Sequence, residues 1–251
     1  MDEEKLLCPV CKANGVLLDV VDFNKSCEEA RGKHLPLAGI PVYYVLCDSC
    51  RFCWALELNR WPLAKFKDCI YNADYISVDP DYLEVRPTAN AKRLRAIFPN
   101  LPSDIRHLDY GGGNGLLSKL LRESNWDSVS YDPFVDGEVD LGRFGRFDFV
   151  TAYEVFEHVP DLQSLLTSLC ALLTHNSLLL FSTLISDGNI ESKKRLDWWY
   201  ASPRNGHISL FSRKSLSILA EGRGFKFGSF SNGLHVFYKT MPVWAKHIIR
   251  D

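Results

Sequence analysis

The stretch His107-Leu108-Asp109-Tyr110-Gly111-Gly112-Gly113-Asn114-Gly115 restricts the fold more than any other part of this chain. The apolar run Ile105 to Tyr110 leads into four glycines within five residues, and the leucine-rich stretch Leu116 to Glu123 follows at once. Residues without a Cβ let the backbone turn sharply and approach a ligand closely, while the first turn of the following helix presents unpaired amides. Strand, glycine turn and helix in that order are the start of a β-α-β unit.

Beyond the loop, strands and helices alternate. Ser128 to Asp132, Phe147 to Ala152 and Leu178 to Thr183 read as strands, and Leu162 to Leu173 as a helix. Short apolar strands joined through helices imply a parallel sheet covered on both faces. A helix is expected at Arg213 to Gly222, and the runs Lys226 to Phe230 and Leu234 to Lys239 lie close enough to pair as a hairpin at the sheet edge.

The residues around the glycine turn narrow its ligand. The next strand ends at Tyr131-Asp132-Pro133, about 20 residues on, where an acid accepts hydrogen bonds from both ribose hydroxyls. No Lys-Ser/Thr pair follows the glycines, so nothing is provided for terminal phosphates and magnesium. The spacing also departs from the dinucleotide pattern, because the residue three beyond Gly113 is Leu116. A nucleoside cofactor without a pyrophosphate fits these residues.

Asp109 to Gly115 resembles the first motif of class I S-adenosylmethionine-dependent methyltransferases, D-x-G-x-G-x-G. The segment from Phe147 through Tyr153-Glu154-Val155-Phe156-Glu157-His158 to Asp161 resembles their fourth-strand segment. The resemblance implies a Rossmann-like α/β fold with a mostly parallel seven-stranded sheet, helices on both faces, and S-adenosylmethionine as cofactor. It implies that Gly111 and Gly113 line the methionine part, with Gly112 between them in the same binding loop, and that Asp109 supports the loop and the ammonium group. Asp132 would take the ribose, Pro133 and Phe134 would lie beside the adenine, and Asp140 near its amino group. Tyr153 and Glu154 would border the methionine and the methyl acceptor. The Pro-Gly-Gly turn common before the family's fifth strand is replaced here by Thr174-His175-Asn176-Ser177.

The cysteines carry a second signal. Cys8-Pro9-Val10-Cys11 and Cys47-Asp48-Ser49-Cys50 are paired C-x-x-C knuckles, the spacing that lets two thiolates grip one tetrahedral zinc. Four thiolates leave no open coordination position, so this zinc is read as structural, stapling a segment too small for a core of its own. Cys53 raises the alternative of an iron-sulfur cluster, but it opens the apolar run Cys53-Trp54-Ala55 and reads as packed. The arrangement resembles the amino-terminal zinc-ribbon of a subset of small-molecule methyltransferases, sugar C-methyltransferases among them. The expected organisation is a zinc-binding unit over 1–61, a helical lead-in and linker over 62–104 and the methyltransferase domain over 105–251.

Methyl transfer from a sulfonium is an in-line displacement, and a base is needed only where the acceptor must lose a proton. His158, just beyond the fourth strand, and His207, in the loop Ser202 to Ser212, are the candidate bases. Each also has an ordinary reading, as a histidine that caps or packs. Arg204, Asn205 and Trp198-Trp199-Tyr200 are candidates for contact with a polar or ring-shaped acceptor, or for plain loop and core positions.

Composition bounds the partners. A net charge of -2 gives no global reason to bind a polyanion, so nucleic acid is not an expected partner. The start of the chain lacks the basic and apolar runs of a secretory signal, no apolar run is long enough to span a bilayer, and a cytoplasmic location is expected. The acceptor expected is a small molecule, first a sugar, nucleotide sugar or glycan precursor. The alternatives are an RNA methyltransferase and a non-catalytic scaffold that keeps the fold. The oligomeric state is open.

Overall fold

A computed structural model describes residues 6–137 and 139–249. Along them run the strands β1 (Gly15–Asp22), β2 (Pro41–Cys47), β3 (Cys53–Ala55), β4 (Arg106–Tyr110), β5 (Asp127–Tyr131), β6 (Phe147–Tyr153), β7 (Leu173–Ser182), β8 (Ser209–Leu210), β9 (Lys226–Ser229) and β10 (His235–Tyr238). The α-helices are α1 (Leu63–Cys69), α2 (Tyr75–Val78), α3 (Val85–Ile97), α4 (Leu116–Arg122), α5 (Leu162–Leu172) and α6 (Arg213–Glu221). They gather into two compact units. One contains Met1–Pro80, Phe156–Leu162 and Thr183–Gly222, the other Asp81–Val155, Gln163–Ser182 and Arg223–Asp251.

The second unit holds a six-stranded mixed sheet in the order β5-β4-β6-β7-β10-β9. β5, β4, β6 and β7 pair in parallel, while β10 runs antiparallel to both β7 and β9. The expected edge hairpin is therefore present as β9 and β10. The seven-strand expectation is corrected to six among the described residues. The segment after β5 turns through Asp132 to Asp136, Gly137 takes φ +73°, and Asp140 then opens a short 3-10 helix, Leu141–Phe144. Polar residues and glycines there offer no apolar alternation to lay against β5, which is left as the edge of the sheet.

Strand alternation sends His107, Asp109, Phe149, Thr151 and Tyr153 to one face. Phe149, Tyr153, Leu178, Leu180 and Val236 form a core with Ala91, Leu94 and Phe98 from α3 and its end, and Leu117 and Leu121 of α4. The other face, with Val150, Ala152, Leu179, Phe181 and Phe237, is equally buried. α5 carries its buried leucines at positions 162, 165, 166, 169 and 172, the spacing of one helical stripe. Pro87 falls in the first turn of α3, where no intrahelical donor is lost. β7 absorbs the replaced turn: its register against β6 jumps from Leu173 to Leu178, and the looped-out Thr174 donates to Asp148 at 3.1 Å.

In the first unit β1, β2, β3 and β8 form an antiparallel sheet in that order. Phe52 anchors its core, stacked on Trp54 and tilted against Phe211, which also meets Phe156 edge to face. β8 is only two residues long, yet it pairs Leu210 with Cys53 and Ser209 with Trp54. No helix among the described residues is long and apolar enough to cross a membrane.

Candidate functional site

The glycine loop is fastened to the end of β5 by backbone hydrogen bonds. Gly111 and Gly112 donate to the carbonyl of Tyr131 at 2.7 and 3.2 Å. Asp132 then holds the loop with its side chain: one carboxylate oxygen accepts from the Gly113 amide at 2.9 Å and the other from Phe134 at 2.8 Å. Each oxygen keeps a second lone pair for a ligand hydroxyl. Two of the glycines are required by geometry. Gly111 sits at φ +74°, and a Cβ there would lie 2.4 Å from a methyl of Val155. A Cβ on Gly112 would lie 2.2 Å from Ser130 Oγ and 2.6 Å from Asp109 Oδ2. At Gly113 a Cβ would meet nothing within 4 Å, so this glycine leaves the loop open where a ligand would approach.

Asp109 lies beneath the loop, almost fully buried, and accepts from Thr151 Oγ1 at 2.8 Å. Burial, with the Asp132 charge adding to it, pushes its carboxyl up to about 7. His107 continues the chain inward, with Nε2 3.1 Å from Thr151 Oγ1 and Nδ1 2.8 Å from Ser128 Oγ. Burial pushes this imidazole down to about 3, so it is neutral at physiological pH. Thr151 has one proton and gives it to Asp109; His107 Nε2-H therefore donates to Thr151, and Ser128 donates to Nδ1.

These two shifts have opposite consequences for stability. The folded state holds an extra proton on Asp109 between its unfolded value near 4 and about 7, so its contribution falls as pH rises through that range. His107, depressed in the fold, contributes stability that is lost as pH falls below about 6.5. The Asp109→Asn variant removes only the first effect. Its stability relative to the parent is expected to rise by about 1.4 kcal/mol per pH unit from roughly pH 4 to pH 7, read by urea unfolding of both proteins across that range. A flat difference would show that Asp109 ionises normally.

Tyr153 and Glu154 end β6 beside β4. The Tyr153 ring joins the core, its buried hydroxyl has no hydrogen-bond partner among the described residues, and burial followed by the nearby Asp109 charge raises its phenol. Glu154 is held at φ +53°, a left-handed conformation that costs a non-glycine residue on the order of 1–3 kcal/mol. Ser182 Oγ accepts from the Glu154 amide at 2.8 Å and donates to its carboxylate at 2.7 Å, which secures that conformation. Pro133 and Phe134 lie in the turn tied down by Asp132. Asp140 stands apart at the head of its 3-10 helix, exposed and accepting from the Gly142 amide at 2.9 Å.

In the first unit the structure brings Cys8, Cys11, Cys47 and Cys50 together, with all four sulfurs within 4.8 Å of one another. Cys8 and Cys50 are 3.6 Å apart and Cys11 and Cys47 3.4 Å. Tetrahedral ligands at a zinc-sulfur distance of about 2.3 Å are about 3.8 Å apart, so the cluster needs little adjustment to receive the ion. The two knuckles are built alike. Lys12 and Arg51, each following the second cysteine, take φ +63° and +62° and return their amides to the carbonyls of Cys8 and Cys47. The Cys50 amide also approaches Cys47 Sγ at 3.4 Å. Hydrogen bonding between Cys50 and Cys8 pulls the Cys8 thiol down and, with burial, pushes the Cys50 thiol up. Cys53 is buried in β3 outside this group, and burial raises its thiol.

The same unit brings His158 and His207 together, with ring centroids 4.8 Å apart. His158 Nδ1 faces the carbonyl of Gly206 at 3.2 Å, and His207 Nδ1 that of Tyr200 at 2.8 Å. Gly206 sits at φ +84°, and a Cβ there would lie 3.1 Å from His158 Nδ1. Glu157, fully buried, accepts a short hydrogen bond from Tyr200 Oη. Arg204 and Asn205 are buried and hold the chain together: Arg204 donates to the Ile70 carbonyl at 3.1 Å, and Asn205 accepts from the Cys27 amide at 2.8 Å. Trp198 and Tyr200 are buried, while Trp199 is partly exposed.

Sequence reasoning missed His107 and Thr151 behind Asp109, Ser182 beneath Glu154, and the grouping of Glu157 and Tyr200 with the imidazoles. Adjacency to His158 was a signal for Glu157. Nothing in the spacing marks Tyr200, which lies 43 residues away.

A loop of glycines locked to an acid at the end of the neighbouring parallel strand belongs to the nucleoside-binding α/β folds. A family model described as a methyltransferase domain matches residues 82–228, more than half of the chain, and the chain belongs to this family. The ubiquinone biosynthesis O-methyltransferase of Colwellia psychrerythraea is 32% identical over 91 residues, 36% of this chain and 37% of that protein, so the match spans little more than a third of the relative. Among solved structures, the plantazolicin methyltransferase BpumL in complex with SAH has a TM-score of 0.47 at 16% identity, covering 72% of this chain and 95% of its own. The magnesium protoporphyrin IX methyltransferase from Synechocystis PCC 6803 with bound SAH has a TM-score of 0.41 at 15% identity, covering 61% and 80%.

Proposed function

We propose that this protein transfers a methyl group from S-adenosylmethionine to a small-molecule acceptor, first a sugar, nucleotide sugar or glycan precursor. The observation that carries the cofactor is Asp132, whose carboxylate is fixed by the Gly113 and Phe134 amides at the rim of the glycine loop. In this reading Gly111, Gly112 and Gly113 give the methionine part its approach, Asp109 takes the ammonium group, and Asp132 takes the ribose. With its carboxyl pushed up to about 7, Asp109 is only partly ionised near neutral pH, and a cation placed beside it would draw its proton off. Pro133 and Phe134 would flank the adenine, Asp140 its amino group, and Tyr153 and Glu154 the methionine and the acceptor. When bound, the cofactor supplies an electrophilic methyl group.

We assign His158 or His207 as the base that takes the acceptor's proton, and zinc as the ion of the four cysteines. A base of this kind is worth about 10²–10⁴ in rate. The His158→Gln or His207→Gln variant is expected to lose kcat in that range, with cofactor affinity unchanged. Labelled S-adenosylmethionine incubated with a panel of nucleotide sugars tests the acceptor class. Labelling of RNA alone would replace this reading with an RNA methyltransferase, and failure to bind the cofactor would leave a scaffold. The domain organisation over 1–61, 62–104 and 105–251 is retained as part of this proposal, with the cytoplasm as its location.

A further inference from the structure

We propose that Glu157, His158 and His207 form a binding site for a divalent transition-metal cation, distinct from the four-cysteine cluster. One donor atom from each of the three lies within 4.8 Å of the others, the same closeness the four sulfurs show. Both imidazoles direct Nδ1 at a backbone carbonyl, Gly206 for His158 and Tyr200 for His207. A carbonyl only accepts, so each Nδ1 carries the hydrogen, and the lone pair of the neutral ring resides on Nε2. A metal-binding histidine is ordinarily fixed in this way, its other nitrogen donating to a carbonyl.

The carboxylate is prepared as well. Glu157 is fully buried and accepts from Tyr200 Oη, which orients it, and a dication would offset its buried charge. Glycine at position 206 admits His158 at this distance, since a Cβ would crowd Nδ1. Two histidines and one carboxylate are the donor set of open zinc and ferrous sites, which keep positions for water or an oxygen ligand. Glu157 and His207 are buried, while His158 is partly exposed and gives the site its opening. With the cation bound, both Nε2 lone pairs are engaged, so the histidines act as ligands in place of the base role proposed above. A hydroxyl-bearing acceptor bound at such a cation loses its proton more readily. That last consequence rests on the methyl-transfer reading; the metal site does not.

Cobalt(II) titration of the full chain, as isolated and under reducing conditions, tests the proposal without any methyl donor. Thiolate-bound cobalt shows intense charge-transfer absorption, whereas a nitrogen and oxygen site shows only weak visible bands. One equivalent of the weakly absorbing kind is expected. In the His158→Gln/His207→Gln double variant that equivalent should vanish, while any thiolate-type uptake persists and reports that the unit is folded. If the double variant misfolds, His158→Gln alone is expected to weaken the weakly absorbing site at least about tenfold. Absence of that equivalent in the parent protein, or its undiminished binding in the variants, overturns the site.

Discussion

Replacing Gly111 by alanine is expected to abolish measurable binding of S-adenosylmethionine at micromolar concentrations. The left-handed φ of +74° costs a residue with a Cβ on the order of 1–3 kcal/mol, and the new methyl would lie 2.4 Å from Val155. Val155 follows the strained Glu154 at the end of β6, so it has little room to retreat. The loop must move instead, and with it the Gly113 amide on Asp132. Each 1.4 kcal/mol of this rearrangement is about tenfold in affinity, and a loss of at least about 100-fold is expected. Calorimetric titration of parent and variant measures it. Gly113→Ala is the informative contrast: its Cβ meets nothing in the fold, so folding should survive, at a cost confined to backbone strain and to any ligand that approaches the loop.

The second large effect is expected at the cysteines. Cys8→Ser or Cys50→Ser should unfold the unit that contains β1, β2, β3 and β8, as should removal of metal by a chelator. Apparent binding energies of structural zinc reach about 10–16 kcal/mol in small zinc domains, comparable to or larger than the whole stability of a typical domain. The effect would reach beyond the amino-terminal residues. Ser212 Oγ bonds the Cys50 carbonyl, Lys214 reaches the Ser49 carbonyl at 2.7 Å, and β8 pairs with β3. Tryptophan fluorescence and limited proteolysis at increasing chelator concentration would follow the loss, with Cys53→Ser as control. A chain that keeps its near-native signal after metal removal would show that the thiols pack without an ion.

Much of this architecture could be read from the chain because short apolar strands and helical stripes leave periodic traces. The boundaries of β4, β5, β6 and α4 fall within a residue or so of their patterns. The glycine loop was legible for the same reason that Gly111 and Gly112 are irreplaceable: a Cβ at either position has nowhere to go. What could not be read depends on long-range pairing. β8 is two residues with no periodicity, and only its register with Cys53 and Trp54 places it beside the amino-terminal strands. No seventh strand joins the six-stranded sheet among the described residues, because Asp132 to Asp136 closes a turn directly after β5, where Asp136 accepts from the Asp132 amide at 2.8 Å.

The candidate site divides in the same way. Asp109 and Asp132 follow from the motif, but the proton held on Asp109 comes from its burial and the neighbouring Asp132 charge, and its hydrogen bond from Thr151 arises only across the β4–β6 pairing. Arg204 and Asn205 read from the sequence as acceptor contacts or solvated loop residues, whereas burial turns them into braces between segments of the first unit.

In the proposed reading the carboxylate of Asp132 takes the ribose of S-adenosylmethionine. Calorimetric titration of the cofactor into the parent protein and the Asp132→Ala variant tests it most directly. Saturable one-to-one binding to the parent is expected, weakened at least about 10–100-fold in the variant, since hydrogen bonds to a charged group are worth about 1.5–3 kcal/mol each. Absence of binding by the folded parent protein, or equal affinity in the two proteins, would show that Asp132 does not hold the cofactor.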